Sequence, residues 1–436
     1  MVRAPSKDLR GRILGSISRR NDALFSLWKP FFTGGAKVTM APWVHCYRRG
    51  REALLLNGRT LVKIRGKEGL EAFFGSLSTE AHDFLGLSTA LAPFGDPQEL
   101  IEILAGASFL VIKEDGSPGG GRPPGEPPSP RALQALYIDA GGPLCCCDLC
   151  GISPGRGTAP VSASLFTETL EAAVKIDSLQ ALIISSAQGP LPVPGTRDRA
   201  CLAAFREKGL RLIALLSEAS LASSLPVMPL YGFHEADVFV EMPGPALRQQ
   251  NFMGLRKCSI TVIPVITIDE KGISPFRGFI AEWARQGGEA VRVRMKGSPG
   301  RGRALASLYL QCFEWLRERG IREISLGRRL HALVAGLPIA ASCALYGGQL
   351  SFAPGGEVSR CPFMSDPPFL PPLPLEHSEC RRCPALGICG GLCLAGPGEK
   401  APGKGTFQCD FLEGLVEAVM ERILAGDSRG GNADGL

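Results

Sequence analysis

Residues 380–393 read Cys380-Arg-Arg-Cys383-Pro-Ala-Leu-Gly-Ile-Cys389-Gly-Gly-Leu-Cys393. Cys409 lies downstream. Upstream, Cys343 is followed after twelve residues by Gly356, and Gly356 by Cys361 in a G-x4-C step. The whole pattern is C-x12-G-x4-C … C-x2-C-x5-C-x3-C … C. Thiolates at such spacing can surround a soft metal or an iron–sulfur cluster from several sides. A C-x2-C step puts two sulfurs on one tight turn, and the longer gaps let the chain wrap round and return. The same spacing also suits a structural zinc ribbon or a disulfide framework. Nothing in the sequence marks the chain for export, which argues against disulfides.

The pattern resembles the SPASM domain, the C-terminal extension of many radical S-adenosylmethionine enzymes. All seven cysteines and the glycine match. The resemblance implies two auxiliary 4Fe–4S clusters. One would take Cys343, Cys361 and Cys393, and the other Cys380, Cys383, Cys389 and Cys409. Some family members add an eighth cysteine six residues after the first; Gln349 stands there in this chain, leaving one iron of the first cluster open. Arg381 and Arg382 flank the sulfurs and read as solvated side chains. Glycines at 390 and 391 let backbone pass close to a cluster.

Bulk properties are consistent with metal or cluster chemistry in a reducing compartment. The chain has 436 residues, 45% of them hydrophobic, with 15 cysteines and a formal charge of +6. That length implies two or three domains. The basic residues are scattered, so a nucleic-acid partner is not expected. Residues 1–29 are basic and polar with no apolar core segment, and no run reaches membrane-spanning length. A cytoplasmic protein with no membrane association is the expectation.

Composition breaks divide the chain. The stretch Asp115–Arg131, DGSPGGGRPPGEPPSPR, is too rich in proline and glycine to build a core. Five segments follow: a mixed α/β module over 1–114, a linker over 115–131, a β/α unit over 132–335, a cysteine-rich unit over 336–424 and a flexible tail over 425–436. The module alternates apolar runs (Trp43–Tyr47, Ala53–Leu56, Thr60–Ile64) with helical stretches (Gly69–Ser76, Thr79–Leu91, Pro97–Ala105). It ends in a strand, Phe109–Ile112. It is similar to the N-terminal segments of peptide-modifying radical enzymes, some of which are winged-helix peptide-recognition elements. A purely structural extension is the simpler reading.

After the linker, strands are predicted at Ala135–Ala140, Ala181–Ser186, Leu210–Leu216, Ala236–Met242, Ile260–Ile268 and Ala290–Met295. Helices are predicted at Thr167–Ile176, Arg197–Lys208, Ala246–Lys257, Pro275–Gln286 and Arg303–Arg319. Six such repeats imply parallel strands with right-handed crossovers. A doubly wound sheet would satisfy the pattern. The resemblance points instead to a partial (β/α)6 TIM-like barrel, whose chemistry sits at the carboxyl ends of the strands. A hairpin is expected from Gln349–Ala353 through Gly355-Gly356 to Val358–Cys361.

Beyond the first strand lies Gly141-Gly-Pro-Leu-Cys145-Cys-Cys-Asp-Leu-Cys150. In the family that place carries C-x3-C-x2-C, three ligands of a 4Fe–4S cluster that chelates S-adenosylmethionine and yields a 5′-deoxyadenosyl radical. Cys147 and Cys150 match the last two ligands, but Pro143 occupies the first. The alternative frame, Cys146 and Cys150, runs into Ser153. Cys145 or Cys146 could supply the missing thiolate from a shortened loop. The family's G-G-E-P motif after the second strand is replaced by Ala187-Gln188-Gly189-Pro190. Gln188 can accept a hydrogen bond from the methionine ammonium but brings no charge.

Two functions follow from the resemblance. One is a radical enzyme acting on a peptide or protein side chain, reduced by a ferredoxin or flavodoxin. The other is a non-catalytic iron–sulfur electron carrier or partner subunit that keeps the auxiliary clusters. Cys46, Cys201, Cys258 and Cys312 sit singly in apolar patterns and read as core residues.

Overall fold

The computed structural model describes residues 37–41, 44–49, 52–57, 61–65, 70–106, 109–113, 133–144, 160–240, 252, 255–269, 273–298, 300–334, 348–363, 380, 383–389 and 406–426. The N-terminal module runs β1 (Lys37–Met40), β2 (His45–Arg49), β3 (Glu52–Leu56), β4 (Leu61–Arg65), α1 (Leu70–Thr79), α2 (Phe84–Leu91), α3 (Pro97–Gly106) and β5 (Leu110–Lys113). Strands β2, β3 and β4 form an antiparallel sheet, and β1 pairs antiparallel with β5.

The period-two alternation of β3 serves two cores at once. Ala53 and Leu55 pack with Phe73, Phe74, Leu77 and Phe84 of the module's own helices. Leu54 and Leu56 point the other way, into the main core. Each fully buried leucine contributes roughly 1.5–3 kcal/mol. The helix expected over Thr79–Leu91 begins only at Phe84. Asp83 caps it, accepting from the Gly86 amide at 2.7 Å, while His82 bridges to Val38.

The larger part runs β6 (Ala135–Asp139), α4 (Ala163–Val174), β7 (Ala181–Ser186), α5 (Thr196–Glu207), β8 (Arg211–Ser217), α6 (Glu218–Ser224), α7 (Met228–Tyr231), β9 (Glu235–Val240) and β10 (Thr261–Ile268). It continues with α8 (Ile273–Arg285), β11 (Ala290–Met295), α9 (Gly302–Glu318), β12 (Arg322–Glu323), α10 (Leu326–Val334), β13 (Gln349–Phe352), β14 (Val358–Ser359), α11 (Leu386–Cys389) and α12 (Phe407–Gly426). The expected helix Ala246–Lys257 lies largely outside the described residues, though 255–257 are helical.

One sheet orders its nine strands β12-β11-β10-β9-β8-β7-β6-β13-β14. From β12 to β13 every pairing is parallel, and only β14 is antiparallel. A doubly wound sheet reverses its strand order part-way. From β6 to β12 this one does not, so the winding is one-directional. The sheet is open, with β12 and β14 at its edges. Leu136, Ile138, Leu182, Ile184, Leu212, Ala214, Ala236 and Val238 face the helices and form the main core. The opposite, inner face gathers Tyr137, Leu144, Ile183, Ala187, Leu215, Phe239 and Val265.

The expected hairpin forms, with Gly356 at φ +91° in its turn. Its first strand also extends the main sheet, with Gln349 opposite Ala135 and Phe352 opposite Ile138 on β6. Among the described residues no helix is long and apolar enough to cross a membrane.

Candidate cluster sites

The segment leading to Cys145 is held by its own polar groups. The buried Asp139 carboxylate accepts from the Gly141 and Gly142 amides at 3.2 and 2.7 Å. Gly142 adopts φ +103°, where a side chain is strained. The Gly141 and Gly142 carbonyls accept from the Gln188 and Ala187 amides, extending the β6–β7 pairing past the strand ends. Leu144 is gripped at both backbone groups. Its amide donates to Tyr137 Oη and Ser185 Oγ at 2.8 and 2.9 Å, and its carbonyl accepts from the Tyr137 hydroxyl at 2.8 Å. The chain therefore hands over to Cys145 at the carboxyl ends of β6 and β7, on the inner face. Cys145, Cys146, Cys147 and Cys150 lie outside the described residues.

Gln188 is exposed and Ala187 is buried. Serine hydroxyls take up the carbonyls around them. Ser217 donates to the Ala187 carbonyl at 2.7 Å, and Ser186 to those of Gln188 and Gly189 at 3.2 and 2.9 Å. Ser220 donates to the Ser186 carbonyl at 2.6 Å, and Ser224 accepts from the Leu191 amide at 3.0 Å. Short helix α6 delivers Ser220 and Ser224 from one face, capped by Ser217. None of these serines carries a site motif. The available signal was serine spaced at 217, 220 and 224 directly after a strand.

The inner wall also holds charge. Glu235 and Asp237 of β9 face Arg292 of β11, whose Nε lies 3.0 Å from Asp237 Oδ2. Arg292 reaches Glu235 at 3.3 Å, and Arg211 reaches Glu235 at 2.7 Å. Arg294 stacks over the Phe239 ring, 4.9 Å from its centroid. Burial pushes the Asp237 carboxyl up to about 7; Arg292 opposes that rise and Glu235 adds to it. Loss of water is the main cause, because a charged carboxylate is costly away from it. No motif marks this group, because its members are scattered across three strands.

At the C-terminal site, Cys361 is buried two residues beyond β14, and its carbonyl accepts from the Ser359 hydroxyl at 2.7 Å. Its expected partners Cys343 and Cys393 lie outside the described residues. The second group is better represented. The Cys383 amide donates to the Cys380 carbonyl at 3.1 Å, closing the C-x2-C turn. Cys389 ends α11, its amide on the Ala385 carbonyl at 2.8 Å. Ala385 and Ile388 are buried in the main core, and Arg329 of α10 binds the Ile388 carbonyl at 2.8 Å. Cys409 lies in the first turn of α12, its amide on Thr406 Oγ1 at 3.3 Å.

The Cys383 thiol is held far above its ordinary value. Burial is the main cause, and the nearby Glu413, Cys389 and Cys409 add to it, while the Ala385 amide opposes them. Two separate pieces of chain, 383–389 and the start of α12, thus bring Cys383, Cys389 and Cys409 into one neighbourhood. Yet among the described residues no three His, Cys, Asp or Glu side chains are grouped closely enough for one metal ion. Zinc needs every sulfur about 2.3 Å from a single centre. A multi-iron cluster instead takes its thiolates at separate corners. Every described cysteine is free of disulfide bonds. Of the four isolated cysteines, Cys312 is buried and the other three are partly so, all four packed against hydrophobic cores.

No protein-family model matches the chain, and no curated protein matches it in sequence. Solved structures with a related chain path include Streptococcus suis SuiB bound to S-adenosylmethionine, at 10% identity and TM-score 0.40, covering 78% of this chain and 87% of that one. SuiB bound to the precursor peptide SuiA gives TM-score 0.38 at 10% identity, covering 74% and 83%. Native anSMEcpe with bound AdoMet gives TM-score 0.49 at 11% identity, covering 68% and 100%. At these identities and scores the likeness identifies neither family nor chemistry.

Proposed function

We propose that this chain is an iron–sulfur protein of the radical S-adenosylmethionine type, acting on a peptide or protein side chain. Its partial barrel would span 132–335 and its SPASM-like unit 336–424. The observation that supports this reading is the neighbourhood of Cys383 with Cys389 of α11 and Cys409 of α12. Cys380 completes that set through its turn with Cys383, and Cys343, Cys361 and Cys393 form the second set. A ferredoxin or flavodoxin would reduce the protein in the cytoplasm, with no nucleic acid or membrane involved.

The first site would draw its thiolates from Cys147, Cys150 and either Cys145 or Cys146. When bound there, a 4Fe–4S cluster with S-adenosylmethionine supplies a carbon-centred radical. The protein's own contribution is positional. Tyr137, Asp139 and Ser185 fix the backbone up to Leu144, and the inner wall supplies Asp237 and Arg292 to orient a polar substrate and hold a proton.

A second reading is a non-catalytic partner or electron carrier. It is favoured by the loop after β7, where Gln188 brings no charge and serine hydroxyls already occupy the Ala187 and Gln188 carbonyls. On this second reading, cleavage of S-adenosylmethionine is weak or absent. Reduced, reconstituted protein assayed for 5′-deoxyadenosine decides between the two. Multiple turnovers lost in Cys145→Ala or Cys146→Ala would support the enzyme and name the third ligand. No product with C-terminal clusters intact would support the partner.

A further inference from the structure

Helix α12 carries Cys409, Glu413 and Glu417 at four-residue intervals, which places them on one face. Glu413 Oε1 lies 3.7 Å from Cys383 Sγ. The next turn differs. Glu417 is matched by Arg303 of α9 at 3.0 Å, whereas Glu413 has no cationic partner among the described residues. Tyr47 of β2 closes the group from the N-terminal module. Its hydroxyl is held above its ordinary value by burial, then by Glu417, Cys383 and Glu413. A half-buried carboxylate thus lies beside one thiol of the C-terminal centre.

We propose that Glu413 is a positioning residue that sets the reduction potential of the centre built on Cys380, Cys383, Cys389 and Cys409. The inference rests on the iron–sulfur reading above and deepens it. With Cys383 as a ligating thiolate, the Glu413 carboxylate faces that sulfur directly, with no cationic side chain among the described residues to offset it. Helix register keeps Glu413 one turn beyond Cys409, on the same face of α12. Reduction adds a further negative charge to the centre, which a neighbouring carboxylate opposes, the more so where water is scarce. Glu413 therefore holds this centre at low potential. Glu417 contributes less because Arg303 offsets its charge.

The test is a potentiometric titration of the full chain, followed by electron paramagnetic resonance. In Glu413→Gln the midpoint of one cluster rises, favouring reduction at least tenfold, or about 59 mV for a one-electron couple. The other cluster's midpoint stays put. Glu413→Asp retains most of the wild-type potential, and Glu417→Gln moves it less than Glu413→Gln does. An unmoved midpoint in Glu413→Gln overturns the proposal. Loss of that cluster in the same variant also overturns it, by making Glu413 a ligand or a packing residue. No cluster signal in the wild type would overturn the iron–sulfur reading itself, which separates the two failures.

Discussion

Arg292 Nε stands 3.0 Å from Asp237 Oδ2 on the inner face of the sheet, in a place almost closed to water. The arginine favours the ionised acid, and burial favours the neutral one. Burial wins, and the carboxyl is raised from 3.8 to about 7. A raised carboxyl binds its proton more tightly in the folded state than in the unfolded one. Its stabilising effect is full below the unfolded value and is lost as pH rises through the folded one. Thermal unfolding of the wild type should therefore weaken between pH 4 and pH 8 relative to Asp237→Asn, by at most about 4 kcal/mol. Parallel pH profiles for the two proteins would contradict the assignment.

Glu323 is a second buried carboxylate, and its role is structural. It accepts from the Val293 amide at 3.0 Å, the Ser325 amide at 3.1 Å, the Gly327 amide and the Tyr309 hydroxyl at 2.7 Å. These contacts join β11, β12, α9 and the start of α10. Glu323→Ala strands several buried donors and should cost at least about 3 kcal/mol in denaturant unfolding. Tyr309→Phe removes one of them and should cost about 1–2 kcal/mol. Equal losses in the two variants would argue that the amide contacts contribute nothing.

Gly141 tests the platform before Cys145. A Cβ there would meet the Gln188 carbonyl oxygen at 2.7 Å and Ser186 Oγ at 2.8 Å. Gly141→Ala should push the loop after β7 away from the strand ends and cost roughly 1–3 kcal/mol. A melting temperature equal to wild type would show that the two loops are not locked together.

The repeated units of the sheet were readable because short apolar runs bounded by turn residues have little freedom. The expected bounds of β7 and β11 match at both ends, and those of β8, β9 and β10 shift by one or two residues. Helices α6 and α7 were hidden in a serine- and proline-bearing stretch whose caps are visible only once Ser217 is placed. The pairing of β13 with β6 spans more than two hundred residues of sequence, and nothing in either strand encodes its partner. At the C-terminal site, cysteine spacing singled out Cys383, Cys389 and Cys409 as members of one expected ligand set. Glu413 had no motif to announce it, only its place four residues beyond Cys409. Strands β9 and β11 read as apolar runs, which concealed the charges on their inner face.

The two C-terminal centres should be separable. Cys383→Ala should remove one cluster's iron and leave the other cluster's spectrum intact, because Cys361 follows the β13–β14 hairpin while Cys389 and Cys409 are carried by α11 and α12. Iron and acid-labile sulfide measured against wild type give the answer. Loss of both clusters would mean that the sites share ligands or fold as one.

Metal analysis of the anaerobically purified full chain, read together with its Mössbauer spectrum, tests the central claim most directly. Two or more 4Fe–4S clusters per chain, with broad absorbance toward the violet, is the expected result. One equivalent or more of zinc per chain, with no iron and no labile sulfide, would contradict it.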